Sequence, residues 1–472
     1  MSFEAVIGLE IHAQLLTASK IFCGCSTAYG AEPNTHVCPV CLGMPGSLPV
    51  LNRAAVDYAI RAALALGCAV HETSVFARKN YFYPDLPKGY QISQYELPLA
   101  AKGLFEGVRI TRVHLEEDAG KSLHEGFADS SRKTYIDFNR TGVPLIEIVT
   151  EPDLRSAAAA AEFFARLREV LVWLGVNDGN MEEGSLRCDA NVSVRATGAE
   201  ALGTKAEVKN VNSFRFLQKA LDYEIDRQID VVSGGGRVVQ ETRLWDAAAG
   251  RTVSMRSKEE THDYRYFPDP DLPAVVVDAA RSAAIRAAMP ELPDVRRRRL
   301  VAQYALPEYD AMQLTQSRAL ADYFEAAVAA GAPAKAASNW IMGELARKLK
   351  EQGADVASAP LTADRLAGLL VLIDKGTISG SMAKDVFETM YASGRSASAI
   401  VEAEGLTVID DEAQIAELIG QVVASNGDAV AQYRAGKAST FGFLVGQVMK
   451  AAKGKANPKR VNELLQKALG SG

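Results

Sequence analysis

Short runs in which apolar and polar residues alternate fill roughly the first 290 residues of the chain. A period of two predicts strands, and the runs are FEAVIGLEIHAQL, RKTYIDF, PLIEIV, ANVSVR and TKAEVKN. Two helices are predicted among them: residues 52–66, which open with Asn52 as an N-cap and close before Gly67, and a run that follows Ser156. Strands with helices grouped between them favour an α+β domain.

Helical patterns replace the strand patterns after PELPD at residues 290–294. Ala-rich or Leu-rich helices are predicted around residues 317–331, 338–350, 362–375 and 379–394. The run EAEGLTVIDD (402–411) marks a second joint, after which helices resume with breaks at SNGD and at Asn457-Pro458. We therefore predict an α+β domain over 1–293, an all-α domain over 294–405 and a small α-helical tail domain over 406–472.

Composition agrees with an ordinary globular protein, since 48% of the 472 residues are hydrophobic and 23% are charged. No run approaches the ~20 apolar residues of a membrane-spanning helix, and the N-terminus lacks the regions of a signal peptide. We therefore expect a cytoplasmic location.

The charge of the chain is uneven. Residues 434–472 carry eight Lys or Arg residues and one acid, a net charge of +7 that leaves −13 for the rest of the chain. This asymmetry favours an acidic partner such as nucleic acid at the C-terminal end. A solvated basic helix is the alternative.

Four of the six cysteines lie close together, in a C-x-C-x12-C-P-x-C array formed by Cys23, Cys25, Cys38 and Cys41. Two closely spaced pairs of thiolates suit a tetrahedral zinc ion, and four thiolates leave no open position. The array predicts a structural zinc site, with inert or redox-active cysteines as the alternative.

Carboxylates interrupt several predicted strands. Alternation places Glu10 and His12 on one face of the first strand. A second carboxylate group, Glu116, Glu117 and Asp118, lies in HLEEDAGKS, and Glu147 interrupts the apolar run PLIEIV. Carboxylates on separate strands suit Mg²⁺, which bridges nucleotide phosphates. The alternative is that they form ion pairs with arginines such as Arg112 and Arg140.

A nucleotide site is not supplied by a P-loop, because Leu115 stands where the first glycine of that motif should be. The segment RKNYFYPDLPKGYQISQYE (78–96) instead offers Lys79 and Lys88 as phosphate partners, and Tyr81 among its aromatic residues. Further polar residues alternate along MEEGSLRCDANVSVR and TKAEVKNVNSF, where a functional cleft and a plain solvent face are equally favoured.

These segments together resemble the GatB/GatE family of aminoacyl-tRNA amidotransferase subunits. The matching blocks are VIGLEIHAQL, AEPN, RKNYFYPDLPKGYQISQ, HLEEDAGKS, NRTGVPLIEIVTEPD, MEEGSLRCDANVS, EVKNVNSF, QETR, DYRYFPDPDLP, SNWIMGEL and GKASTFGFLVGQVMKAAKGKANP. The chain leaves no room for the large inserted domain of the GatE branch, so it is more similar to the GatB branch. The resemblance implies a cradle similar to the catalytic half of glutamine synthetase, a helical domain and a YqeY-like tail that binds tRNA.

The resemblance also implies an activity and a set of site residues. ATP would phosphorylate the side-chain carboxylate of misacylated Glu-tRNA(Gln) or Asp-tRNA(Asn), and ammonia would then displace phosphate. The implied Mg²⁺ ligands are His12, Glu117 and Glu147, with Glu10 beside them and Lys79 in the cleft. The cysteine array corresponds to a zinc knob found in many members of the family.

Ammonia has to come from another protein, because the chain shows no amidase stretch and no Cys-His nucleophile pair. SGGGR (233–237) is interpreted as a hairpin turn. The resemblance implies a heterotrimer with a GatA-type amidase and a GatC-type small subunit. Two alternatives remain: a free-standing ATP-dependent amide ligase that acts on a small carboxylate, and a non-catalytic zinc protein that binds RNA.

Overall fold

The structure is a computed structural model that describes residues 2–124, 126, 129–130, 132–257, 264–406, 411–452 and 455–470. The chain forms two compact units, Met1–Leu292 and Pro293–Gly472. Among the described residues, no helix combines the length and apolar character that crossing a membrane requires.

The first unit combines strands with a few helices. Its strands are β1 (Phe3–Gln14), β2 (Ala69–Val70), β3 (Thr73–Ser74), β4 (Ala77–Asn80), β5 (Tyr90–Ser93), β6 (Ala100–Phe105), β7 (Val108–Glu117), β8 (Lys121–Leu123), β9 (Tyr135–Asp137), β10 (Pro144–Thr150), β11 (Leu186–Ala196), β12 (Ala206–Lys209), β13 (Glu241–Asp246), β14 (Arg251–Ser257), β15 (Phe267–Pro268) and β16 (Val275–Val276). Its helices are α1 (Arg53–Ala65), α2 (Ala157–Trp173), α3 (Phe214–Ser233) and α4 (Ala279–Ala288).

A nine-stranded sheet is the centre of this unit, in the order β14-β13-β12-β11-β1-β10-β7-β6-β2. Its neighbouring strands are antiparallel except β12 and β13. The predicted alternation in β1 is confirmed, since Ile7, Leu9 and Ile11 are at most 1% exposed and share a core with residues of α1, α2 and α3. The other face of β1 carries Glu10 and His12 and is not covered by that apolar core.

The helix caps follow from the sequence. The amide of Ala54 donates to the Asn52 side chain, so the predicted N-cap at Asn52 is confirmed. The amide of Ala159 likewise donates to Ser156, which caps the helix predicted to follow it. The hairpin predicted for residues 233–237 is wrong, because α3 extends to Ser233 and the glycines connect this helix to β13. The expected α+β architecture is confirmed for the first unit.

The second unit is helical where the structure describes it. It contains α5 (Pro293–Tyr304), α6 (Glu308–Leu314), α7 (Arg318–Ala329), α8 (Ala334–Trp340), a π-helical turn (Ile341–Leu345), α9 (Ala346–Gln352), a 3₁₀ turn (Val356–Ser358), α10 (Ala363–Asp374), α11 (Gly380–Ser393), α12 (Ala397–Glu404), α13 (Glu412–Ser425), α14 (Gly427–Arg434), α15 (Ser439–Ala451) and α16 (Pro458–Gly470). One apolar core joins residues from Leu300 to Val401 and a separate one joins Ile415 to Leu469. The predicted joint between domains near residue 405 overlaps residues 407–410, which lie outside the described residues.

Candidate functional site

Strand pairing collects polar side chains on one face of the large sheet. His12 on β1 lies directly opposite Glu147 on β10, and Glu147 lies opposite His114 on β7. Directly opposed residues of antiparallel strands project from the same face, and a residue two positions along a strand shares that face. His12, Glu147, His114 and Glu116 therefore project together from the face that carries Glu10.

These side chains are close enough to share one cation. The Nε2 atom of His12 lies 3.5 Å from Oε2 of Glu147, 4.0 Å from Oε1 of Glu116 and 3.6 Å from Oε1 of Glu10. His12, Glu116 and Glu147 each offer one ligand atom, and these three atoms lie within 4.8 Å of one another. Glu116 and Glu147 are only 3% and 5% exposed, so their mutual repulsion is weakly screened. We call the set His12, Glu116 and Glu147 the carboxylate–histidine cluster, and its donors suit a divalent cation.

The resemblance implied Glu117 as the third ligand, but the structure places this side chain elsewhere. Because successive residues of a strand point to opposite faces, Glu117 projects away from Glu116. Its carboxylate accepts hydrogen bonds from the Nζ atom of Lys88 and, at 2.9 Å, from the amide of Ile92. The structure thus brings Glu116, and not Glu117, to His12 and Glu147.

Electrostatics in the cluster are strongly perturbed. Burial lowers the pKa of His12, but its hydrogen bond to Glu147 and the charges of Glu147 and Glu116 outweigh burial and raise that pKa to about 9. Burial, followed by the charge of Glu147, raises the pKa of Glu10. Burial also acts to raise the pKa of Glu147, yet the charges of His114 and His12 hold it below its usual range. Such perturbation is common at functional sites.

Lys79 on β4 faces the same cluster. Its Nζ atom lies 4.9 Å from the ring centre of Tyr264 and 6.0 Å from that of Tyr81. Burial acts to lower the pKa of Lys79, but the negative charge of Glu116, with smaller contributions from Glu147 and nearby tyrosines, raises it above its ordinary value. The structure therefore supplies a cation and aromatic rings beside the carboxylates.

Lys88, the other predicted phosphate partner, is placed differently. Its side chain is 6% exposed and forms a buried ion pair with Glu117. Both residues line a cavity of about 250 Å³ together with Arg78, Tyr90 and Asp271. Lys88 therefore does not meet the carboxylate–histidine cluster through its ammonium group.

The polar face continues across β11 and β12. Oδ2 of Asp189 lies 2.6 Å from Nζ of Lys209, and Asp189 forms a group with Glu10 and His12 in which one ligand atom each lie within 4.8 Å. Arg187 donates to Asp118 at 3.1 Å. These residues extend the candidate site, so a polar cleft fits this strand face better than a plain solvent face does.

The alternative to a metal site was that these carboxylates form ion pairs with arginines such as Arg112 and Arg140. Nη2 of Arg112 does lie 3.4 Å from Oε1 of Glu147, and Arg140 pairs with Asp118. These pairs coexist with the cluster, because Oε2 of Glu147 is the atom nearest to His12.

Reasoning from the sequence named Glu116 only as one of the carboxylates of HLEEDAGKS, and it missed His114. Nε2 of His114 lies 3.5 Å from Glu147 and 3.8 Å from Glu116, while its Nδ1 accepts a hydrogen bond from Nε of Arg112 at 3.4 Å. Nε2 of His114 therefore faces the two carboxylates, and Nδ1 faces Arg112. The alternation of HLEED shows that His114 and Glu116 share a strand face and that Glu117 does not, but it does not show which face meets His12.

The cysteine array forms a second candidate site. The sulfur atoms of Cys23, Cys25, Cys38 and Cys41 all lie within 4.8 Å of one another. The Sγ atoms of Cys38 and Cys41 are 3.9 Å apart, close to the ~3.8 Å edge of a tetrahedron with metal–sulfur bonds of about 2.3 Å. A hydrogen bond with Cys23 lowers the pKa of Cys41 to about 4, against the effect of burial, and Lys20 contributes. The four sulfurs fit a tetrahedral metal ion.

Comparison with known proteins covers nearly the whole chain. A family model described as the GatB/GatE catalytic domain matches residues 5–283, and one described as the GatB domain (GatB_Yqey) matches residues 322–469. The chain is 57% identical to the B subunit of the aspartyl/glutamyl-tRNA(Asn/Gln) amidotransferase of Thermodesulfovibrio yellowstonii, over 99% of this chain and 100% of that protein. It is 54% identical to the protein of the same name from Geobacter sulfurreducens, over 99% of this chain and 100% of that protein. It is also 54% identical to the one from Myxococcus xanthus, over 99% of both chains.

Proposed function

The chain belongs to the GatB/GatE family, and from that premise we propose that it is the subunit of a tRNA-dependent amidotransferase that activates a carboxylate with ATP. Its substrate is the misacylated side chain of Glu-tRNA(Gln), of Asp-tRNA(Asn) or of both. The products are Gln-tRNA(Gln) and Asn-tRNA(Asn), which translation uses. The observation that supports this assignment most directly is the carboxylate–histidine cluster with Lys79 beside it.

The proposed reaction has two steps in which atoms and charge balance. An oxygen of the side-chain carboxylate attacks the γ-phosphorus of ATP, ADP leaves, and an acyl phosphate forms. Ammonia then attacks the acyl carbon, inorganic phosphate leaves with the bonding electrons, and the nitrogen loses a proton. Neither step needs a protein nucleophile, so catalysis depends on positioning and charge neutralisation.

The residues of the site suit the first step. His12, Glu116 and Glu147 would hold Mg²⁺, with Glu10 and Asp189 beside them. When bound, Mg²⁺ supplies neutralisation of phosphate charge. Lys79 carries a positive charge at the same face, where it can bind a phosphate oxygen, and the rings of Tyr81 and Tyr264 beside it limit the access of water.

Ammonia is proposed to come from a separate GatA-type amidase subunit, with a GatC-type small subunit in the same complex. The sequence of this chain shows no glutaminase machinery, which supports a division of labour. Glutamine-dependent amidation is therefore expected only when the amidase partner is present.

The C-terminal tail is proposed to bind the tRNA. Phosphate contacts dominate the affinity of proteins for nucleic acids, and RNA helices are recognised largely through shape and backbone. Six basic residues of the tail are exposed: Arg434, Lys437, Lys450, Lys459, Arg460 and Lys467. These six positive charges are thus available to a phosphate backbone.

The cysteine array is proposed to hold a structural zinc ion. Four sulfurs complete a tetrahedral ligand set, so this ion would stabilise the surrounding loop and take no part in the reaction. The zinc site and the proposed Mg²⁺ site are built from different residues, so that each can be tested alone.

Turnover of ATP by the chain purified with its amidase partner tests the proposal. Turnover should rise when Glu-tRNA(Gln) or Asp-tRNA(Asn) is added and should yield the amidated tRNA. The tRNA that is amidated identifies the substrate. ATP turnover that is indifferent to aminoacyl-tRNA would favour an amide ligase for small carboxylates, and no turnover would favour a non-catalytic protein that binds RNA.

A further inference from the structure

Lys20 is an unusual residue, because its side chain is a buried ammonium group. It is 0% exposed and lies in the loop that follows β1. Removing an ammonium group from water is unfavourable unless an opposite charge and hydrogen-bond acceptors replace the water. The groups that surround Lys20 should therefore include an anion.

The Nζ atom of Lys20 contacts three acceptors. It donates to the carbonyl oxygens of His36 at 2.7 Å and Phe138 at 3.3 Å, and to the Sγ atom of Cys41 at 3.6 Å. Two of these acceptors are neutral. Within the described ranges no carboxylate lies within 4.0 Å of this ammonium group, and Glu117, which lines the same cavity, is paired with Lys88. The sulfur of Cys41 is thus the contact that can carry the balancing charge.

Lys20 also contacts the other half of the array through its backbone, because its amide donates to the carbonyl of Cys25 at 3.0 Å. Four thiolates carry four negative charges and Zn²⁺ carries two positive charges, so the centre has a net charge of −2. A buried centre of that charge needs a nearby cation as much as Lys20 needs an anion. Groups that hydrogen-bond to metal ligands also set how tightly the metal is held.

We propose that Lys20 is the charge-balancing residue of the four-cysteine metal centre, and that it sets the affinity of this centre for a divalent metal. The proposal rests on the zinc site proposed above. It makes Lys20 a positioning residue that acts through Cys41 and not a metal ligand.

Metal binding to the full-length chain tests this role. Co²⁺ binding is followed by the thiolate-to-metal charge-transfer absorption, and Zn²⁺ affinity is measured by competition with a chelator. Lys20→Met and Lys20→Gln both remove the charge, and each should weaken Zn²⁺ binding by roughly 10- to 100-fold, as other changes to the groups around metal ligands do. Lys219→Met is the matched control, because Lys219 is exposed on α3. This variant should bind Zn²⁺ with the same affinity as the unsubstituted chain.

Thermal unfolding separates this role from a purely structural one. Without metal, the Cys41 sulfur is the one anion that the described residues can offer to Lys20, whereas with zinc Lys20 faces a centre with a net charge of −2. Lys20→Met should therefore lower the Tm of the zinc-loaded chain more than that of the metal-free chain. The proposal would be overturned by an equal loss of Tm in the metal-free and zinc-loaded forms, by a variant that folds in neither form, or by unchanged Zn²⁺ affinity. If the unsubstituted chain binds neither Zn²⁺ nor Co²⁺, the zinc site itself would be overturned.

Discussion

Adjacent residues Glu116 and Glu117 should respond to the same substitution in opposite ways. Glu116 contributes an oxygen to the carboxylate–histidine cluster, whereas Glu117 forms a buried ion pair with Lys88. Replacement by glutamine removes one negative charge and keeps the shape of the side chain. Each change therefore tests what the charge does at its own position.

The magnitudes follow from burial. The side chains of Glu117 and Lys88 are 2% and 6% exposed, and loss of one partner of so buried a pair costs about 3–5 kcal/mol of the free energy of unfolding. Glu117→Gln should lower the urea midpoint of the first unit by a corresponding amount. Glu116→Gln should lower that midpoint less than Glu117→Gln does without metal. The attraction to His12 and Lys79 that is lost is offset by relief of the repulsion from Glu147, and glutamine can still accept the hydrogen bond that Ser93 donates at 3.1 Å.

Metal binding should show the reverse order. Loss of the charged ligand Glu116 should weaken Mg²⁺ or Mn²⁺ binding by at least about 10-fold. Changes to residues that only hydrogen-bond to metal ligands already weaken metal binding by about that factor. Isothermal titration of the full chain with Mn²⁺, with urea unfolding in parallel, measures both effects. The assignment of the cluster is refuted if Glu117→Gln abolishes Mn²⁺ binding in the folded chain while Glu116→Gln leaves it intact.

Three further substitutions test other parts of the structure. His114→Ala should weaken Mn²⁺ binding by roughly 10- to 100-fold, because Nε2 of His114 lies between the two carboxylates; unchanged affinity in the same titration would remove this role. Ser156→Ala deletes the cap of α2 and should lower the free energy of unfolding by about 1 kcal/mol. Urea unfolding measures this loss, and an unchanged free energy of unfolding would contradict the prediction. Glu224→Ala removes the fully buried carboxylate that Arg227 and Arg243 share. It should lower the free energy of unfolding by about 3 kcal/mol. A loss smaller than that of Ser156→Ala would show that the ion pair with Glu241 is enough to balance the charge of Arg243.

Local features of this protein were determined by its sequence. The caps at Asn52 and Ser156 and the two faces of β1 depend on residues within a few positions of each other, where hydrogen-bond geometry and alternation act directly. The four cysteines were also found from spacing alone, since thiolates in two close pairs suit one metal ion. The family was evident in the motifs, and the comparisons confirm it.

Contacts between distant segments were decided by the tertiary structure. The choice of Glu116 over Glu117 depends on the pairing of β7 with β10 and on the pairing of β10 with β1, and the second of these joins residues more than a hundred positions apart. No local pattern shows which face of β7 meets His12, because a shift of the register by one residue would exchange the two glutamates. For the same reason Lys88 was predicted from the sequence to bind phosphate, whereas in the fold it is buried against Glu117. The contact between Lys20 and Cys41 also became evident only in the tertiary structure.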